Sequence, residues 1–177
     1  MIIDFHTHMF PDKIAARTID FLSKTGGDMN PFTDGTWKGL KESTKQAGID
    51  HSIVLPIATR PGQFHTINEF ATHFQEGTLI SFGSLHPESE NYKEELKQIQ
   101  DMGMKGIKLH PDYQDTYFND IRYKRIISYA TELGLIISVH AGRDPKCPDN
   151  IHCTPAMAEE VLNEVEPDET GACTHGW

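Results

Sequence analysis

Basic residues are scarce in this chain. Lys and Arg number 16 against 26 Asp and Glu over 177 residues, a formal net charge of -10. An excess of that sign disfavours loose attraction to nucleic acid or to anionic membrane surfaces. Long apolar runs are missing too: none approaches the roughly 18–20 residues that a bilayer-spanning helix needs. The N-terminus lacks the basic, then apolar, then small-residue order of a secretory signal, so a cytoplasmic location is the expectation. Cysteine is sparse. Cys147, Cys153 and Cys173 are odd in number and no pair is spaced Cys-x2-Cys, which leaves no zinc knuckle and makes them reduced, structural thiols. No low-complexity tract or clear linker divides residues 1–177, which read as a single domain able to bury roughly 70% of its unfolded surface.

What is present is an alternation. Short apolar, β-branched runs at 2–5 (IIDF), 52–57 (SIVLPI), 79–87 (LISFGSLHP), 106–111 (GIKLHP) and 133–142 (LGLIISVHAG) read as buried strands, and another begins near Thr170. Between them lie stretches of helical spacing from Lys13 to Lys24, Gly39 to Gln46, Ile67 to Gln75, Asn91 to Met102 and Ile121 to Leu133. A further helix follows Thr154, where Pro155 suits the first turn, and Asn91 and Thr154 stand at N-cap positions. Strands separated by helices argue for the α/β class with a parallel sheet, since antiparallel hairpins need only about two to five linking residues. The long Pro-rich connection 143–155 directly follows a strand end, as functional loops do and as plain surface excursions also do.

The polar residues in these strands fall on one side. Residues two apart share a strand face, so His6 goes with His8, Lys108 with His110 and Ser138 with His140, while Ile107, Leu109, Ile137 and Val139 point the other way. The histidines also cluster at the C-terminal strand ends, where active sites of (β/α)8 barrels and of open α/β sheets lie. Neutral imidazole is the commonest metal ligand. His6 and His8 are either a plain surface or core pair or, since two on one strand face can reach one ion, metal ligands, and His140 at another strand end could complete a three-ligand set with an open position. His86 reads as a packing or capping histidine, and His51, His65, His73 and His152 are not expected to be ligands.

The segments HTH, GIKLHP, VHAG and the late THG, in that order, resemble the amidohydrolase superfamily, in particular its amidohydrolase-2 group, which includes aminocarboxymuconate-semialdehyde decarboxylase. The resemblance implies a TIM-like barrel with His6, His8 and His140 as ligands of one divalent ion, zinc being the usual metal and manganese or iron also found. It implies a catalytic role for His175 beside the metal or substrate, although the family's AHxGG stands here as THGW. A late aspartate that normally joins the metal shell has no counterpart among these residues. A carboxylated lysine at a strand end bridges two metals in other branches, but one metal is the norm in this group. Lys108 and His110 are therefore expected to bind substrate or order the site, unless they form a plain interior ion pair. Arg143 either meets a substrate carboxylate or is an exposed loop arginine of no specific role. At roughly 33 residues per strand-to-strand step, eight strands would need roughly 240 residues, close to the typical barrel of about 250, so about six of the eight β/α units are expected here.

The activity implied is metal-dependent hydrolysis of an amide, ester or lactone of a small molecule. Nonoxidative decarboxylation is the alternative within the same family, and an inactive truncated barrel is the alternative outside it. The partner expected is a small-molecule substrate, a carboxylate being possible, and homo-oligomerisation is possible; nucleic acid and membranes are not expected.

Overall fold

A computed structural model describes residues 1–26, 30–75, 77–145 and 148–165, and the backbone of 172–175. Its strands are β1 (Ile3–Thr7), β2 (His51–Val54), β3 (Leu79–Ser81), β4 (Gly83–Ser84), β5 (Gly106–Leu109), β6 (Ile136–His140) and β7 (Ala172–His175). All the pairings are parallel, in the orders β1-β2-β3 and β4-β5-β6-β7. The helices are α1 (Asp12–Thr25), α2 (Trp37–Gln46), α3 (Phe64–Thr72), α4 (Tyr92–Asp101), α5 (Ile121–Glu132) and α6 (Pro155–Val165). No helix among the described residues is long and apolar enough to cross a membrane.

The expected alternation is present in the β5–β6 pair. Ile107, Leu109, Ile137 and Val139 pack into one apolar cluster with Leu96 and Ile99 of α4, Tyr123 and Ile126 of α5, and Val161 of α6. Lys108, Ser138, His110 and His140 are also buried, on the other side of the same strands. α4 lies so close to the sheet that a Cβ on Gly83 would stand 2.7 Å from Ile99 Cγ1, so glycine is required there by proximity.

Two expectations change. The run at 79–87 is not one strand: the Phe82 N–H donates to Val54 O at 2.9 Å, continuing the β2 side, and from Gly83 the chain pairs instead with Ile107 and Lys108. Asn91 occupies the N-cap position of α4 without capping it. Its backbone, at φ -98 and ψ 28, is not extended, so its side chain accepts no N–H from the first turn. Thr154 does act as expected, its Oγ1 accepting the Met157 N–H at 3.3 Å.

Two helices stand between β1 and β2, and they differ in what they cover. α2 packs on the sheet through Leu40, in a cluster with Val54 and Leu79, and Thr44 Oγ1 meets Ser52 Oγ at 2.8 Å. α1 buries only Ala15 among its residues. The Phe10 N–H donates to Gly35 O at 2.8 Å and closes the excursion that carries α1.

The strand ends are joined by two buried amide side chains. Asn68 of α3 accepts the Ser84 N–H through Oδ1 at 2.8 Å and donates to Ser84 O at 2.8 Å. Gln114 donates to Ala58 O at 2.8 Å and Leu85 O at 2.9 Å, and its Oε1 accepts from the His110 N–H at 2.9 Å and the Tyr123 hydroxyl at 2.7 Å. The loops after β2, β4 and β5 are thereby held together at one rim. Gln114→Leu strands four buried polar partners at once, each worth about 1–3 kcal/mol when unsatisfied. A loss of about 3 kcal/mol or more in urea unfolding is expected, and a loss below about 1 kcal/mol contradicts this role.

Candidate metal centre

The first histidine pair is set by a register shift in β1. Asp4 pairs with Ser52 but Thr7 with Val54, and Thr7 Oγ1 donates to Ile53 O at 2.8 Å. His8 follows, its Nδ1 lying 2.8 Å from Leu55 O. A carbonyl only accepts, so Nδ1 carries the ring hydrogen and Nε2 presents its lone pair. His6 Nε2 is 3.1 Å from that nitrogen. Burial, and then the Lys108 charge, lower the His8 pKa to about 4, which keeps the ring neutral at pH 7.

The second cluster sits at the ends of β5 and β6. The His110 ring is stacked between Tyr113, at 3.9 Å, and His140, at 4.1 Å and 5° from parallel. Burial, followed by His140, Lys108 and His8, pushes His110 down to about 2. Its Nδ1 accepts the Tyr113 N–H at 3.3 Å, which leaves Nε2 as the N–H donor, 3.8 Å from Asp144 Oδ2. Asp144 Oδ2 also lies 3.7 Å from His140 Nε2. Among the described residues, His110, His140 and Asp144 are the group whose ligand atoms all fall within 4.8 Å of one another. Lys108 is completely buried on the same face of β5 as His110, and its charge lowers both His8 and His110.

Asp112 approaches the same nitrogen of His140. Its Oδ2 is 3.8 Å from His140 Nε2, and its Oδ1 accepts from His152 Nδ1 at 2.9 Å and from the His152 N–H at 3.3 Å. The connection 143–155 is therefore not a plain surface excursion, since Asp144, His152 and Cys153 are all buried. Asp112 and Asp144 were not among the expected site residues, and His152, not expected to be a ligand, holds Asp112 instead. The available signal was an aspartate two residues beyond His110 (HPD) and another four beyond His140 (HAGRD), each just past a strand-end histidine.

His6, His8, His110, His140 and Asp144 all face one cavity of about 790 Å³. That volume is within the range of small-molecule sites. Arg143 is exposed and is not part of the cavity lining, whereas its neighbour Asp144 is. His86 is buried outside the cavity and accepts the Glu88 N–H at 3.3 Å. The backbone of His175 ends β7 in register with His140, and its side chain lies outside the described residues, as does Cys147.

A family model described as amidohydrolase matches residues 3–171. No curated protein matches the chain. Among solved structures, a TIM-barrel protein from Bordetella bronchiseptica aligns at TM-score 0.67 and 15% identity, over 94% of this chain and 64% of its own. A 2,6-dihydroxybenzoate decarboxylase, complexed with 2,6-dihydroxybenzoate, aligns at 0.62 and 14%, over 99% and 66%. A probable 2-pyrone-4,6-dicarboxylic acid hydrolase from Acinetobacter baumannii aligns at 0.59 and 12%, over 98% and 57%. At these identities the likeness is one of fold, and the chain spans between 57% and 66% of the length of these structures.

The depressed histidines set a pH dependence. Unfolded, His8 and His110 take up protons near pH 6.5; folded, they do so only near 4 and 2, so acidification favours the unfolded chain. The metal-free protein is expected to lose thermal stability as pH falls from about 6.5 to 4, and His8→Asn to lose less across that window. Melting temperatures by circular dichroism that stay flat over the window contradict the assignment of neutral buried rings.

Proposed function

This chain belongs to the amidohydrolase family, and we propose that its strand-end histidines hold one divalent metal ion, zinc in the first instance, for hydrolysis of a small-molecule amide, ester or lactone. In this reading the parallel sheet forms part of a TIM-like barrel, about six of its eight β/α units, and His6, His8 and His140 are the ligands.

The observation that carries the proposal is the His6–His8 pair. With its Nδ1 hydrogen given to Leu55 O, His8 turns a lone pair toward His6 Nε2 at 3.1 Å. Two nitrogens bound about 2.05 Å from a tetrahedral zinc stand about 3.3 Å apart, so the pair is spaced for a shared ion. The neutrality that burial imposes on His8 suits a ligand, which must be deprotonated to bind. When bound, the ion would polarise the substrate carbonyl and acidify a water for attack.

The other side chains take the remaining tasks. His110, locked with its hydrogen on Nε2, donates to a substrate oxygen. Asp144 Oδ2, 3.8 Å from His110 and 3.7 Å from His140, belongs to the carboxylate that lines the cavity and would hold a proton from the attacking water. The buried Lys108 ammonium favours negative charge developing beside it. His175, paired in register with His140, is assigned the proton transfer to the leaving group. Arg143 is exposed and takes no part in this scheme. The same donors suit loss of a carboxylate, so carboxylated aromatics stand beside esters and lactones as candidate substrates.

Metal analysis after equilibrium dialysis tests the site. About one zinc per chain is expected, with at least a tenfold weaker Kd in His6→Ala/His8→Ala and in His140→Ala. Stoichiometry unchanged in the double variant overturns the proposal.

A further inference from the structure

The cavity has two ends of different chemistry. One is the histidine and Asp144 cluster. The other is walled by α1, whose Ile14, Thr18, Phe21 and Leu22 share one helix face at i, i+4, i+7 and i+8. Ile67 and Phe70 of α3 also line it. α1 serves the interior little, with only Ala15 buried, and it leaves Phe21 56% exposed on the cavity wall. A phenyl ring held half in water has transfer free energy to gain from an apolar group laid against it. The helix is fixed in that place: the Phe10 N–H is bonded to Gly35 O, and Gly35, at φ +78, lies where a Cβ would be 2.5 Å from Ile19 Cγ1.

Charge sharpens the reading. None of the described residues lining the cavity is lysine or arginine. A carboxylate laid against the α1 wall would give up part of its water with no lining cation to replace it.

We infer that the substrate bears its reacting group at one end and a neutral apolar arm, alkyl or aryl, at the other, with α1 as the element that selects the arm. This rests on the metal reading of the preceding subsection for the reacting end. The arm itself rests on the wall of the cavity.

Three hydroxamates, measured by calorimetry on the zinc-loaded chain, test it: acetohydroxamate, octanohydroxamate and the carboxylate-ended suberic monohydroxamate. Each buried methylene is worth roughly fourfold in affinity, so octanohydroxamate is expected to bind at least tenfold tighter than either of the others. Thr18→Lys and Thr66→Lys, on the cavity lining from α1 and α3, are expected to reverse the preference toward the carboxylate-ended compound. In parallel, the uncharged dye N-phenyl-1-naphthylamine is expected to saturate the metal-free chain at one per protein. A carboxylate-ended hydroxamate that binds the unaltered protein as tightly as the octanoyl one overturns the inference, and so does a dye that fails to saturate. Saturable dye binding with no hydroxamate affinity at all overturns the metal reading instead, and with it the assignment of the arm to a substrate.

Discussion

Four hydrogen bonds of one buried glutamine hold the rim on which everything else stands. Gln114 reads the carbonyls of Ala58 and Leu85 and receives the His110 N–H and the Tyr123 hydroxyl. Parallel strands end in loops that have no ladder to hold them, and their backbone groups still require partners. One side-chain amide satisfies groups from three such loops, and Asn68 holds both backbone groups of Ser84 just past the break at Phe82. Fixing the His110 backbone also fixes the sandwich of Tyr113, His110 and His140 rings against which the acidic residues are set.

The chemistry of the cavity follows from what burial does to imidazole. Removed from water and placed beside the Lys108 ammonium, His8 and His110 remain neutral far below their ordinary range. Neutral rings must choose a tautomer, and backbone groups choose it. Leu55 O takes the Nδ1 hydrogen of His8, while the Tyr113 N–H claims the Nδ1 lone pair of His110. The two rings therefore present opposite chemistry to one cavity, a lone pair from His8 and an N–H from His110. Hydrogen bonds made behind the site thus divide ligand from donor in front of it.

Most of the sheet was legible in the sequence because apolar runs of strand length, broken by helical spacing, leave few other arrangements. The burial of Lys108, His110, Ser138 and His140 opposite Ile107, Leu109, Ile137 and Val139 follows from a period of two. What was not legible depends on partners distant in sequence. Gln114 bonds to residues 56 and 29 positions away, and His152 to Asp112 across 40, so neither had a local signature. α1 has the amphipathic spacing of any surface helix, and only the fold shows that its apolar face meets a cavity and not the sheet. Asn91 failed as a cap because residue type does not fix the backbone angles that capping needs.

The cavity joins a polar end that activates with an apolar end that selects, and the polar end depends on one ion held by His6, His8 and His140. Anomalous scattering at the zinc edge from a crystal of the metal-loaded chain locates that ion. A single peak is expected about 2.1 Å from the Nε2 atoms of His6 and His8 and within ligand distance of His140. A peak that lies elsewhere, at the Asp112–His152 pair for instance, or no peak at all from a chain saturated with zinc, contradicts it.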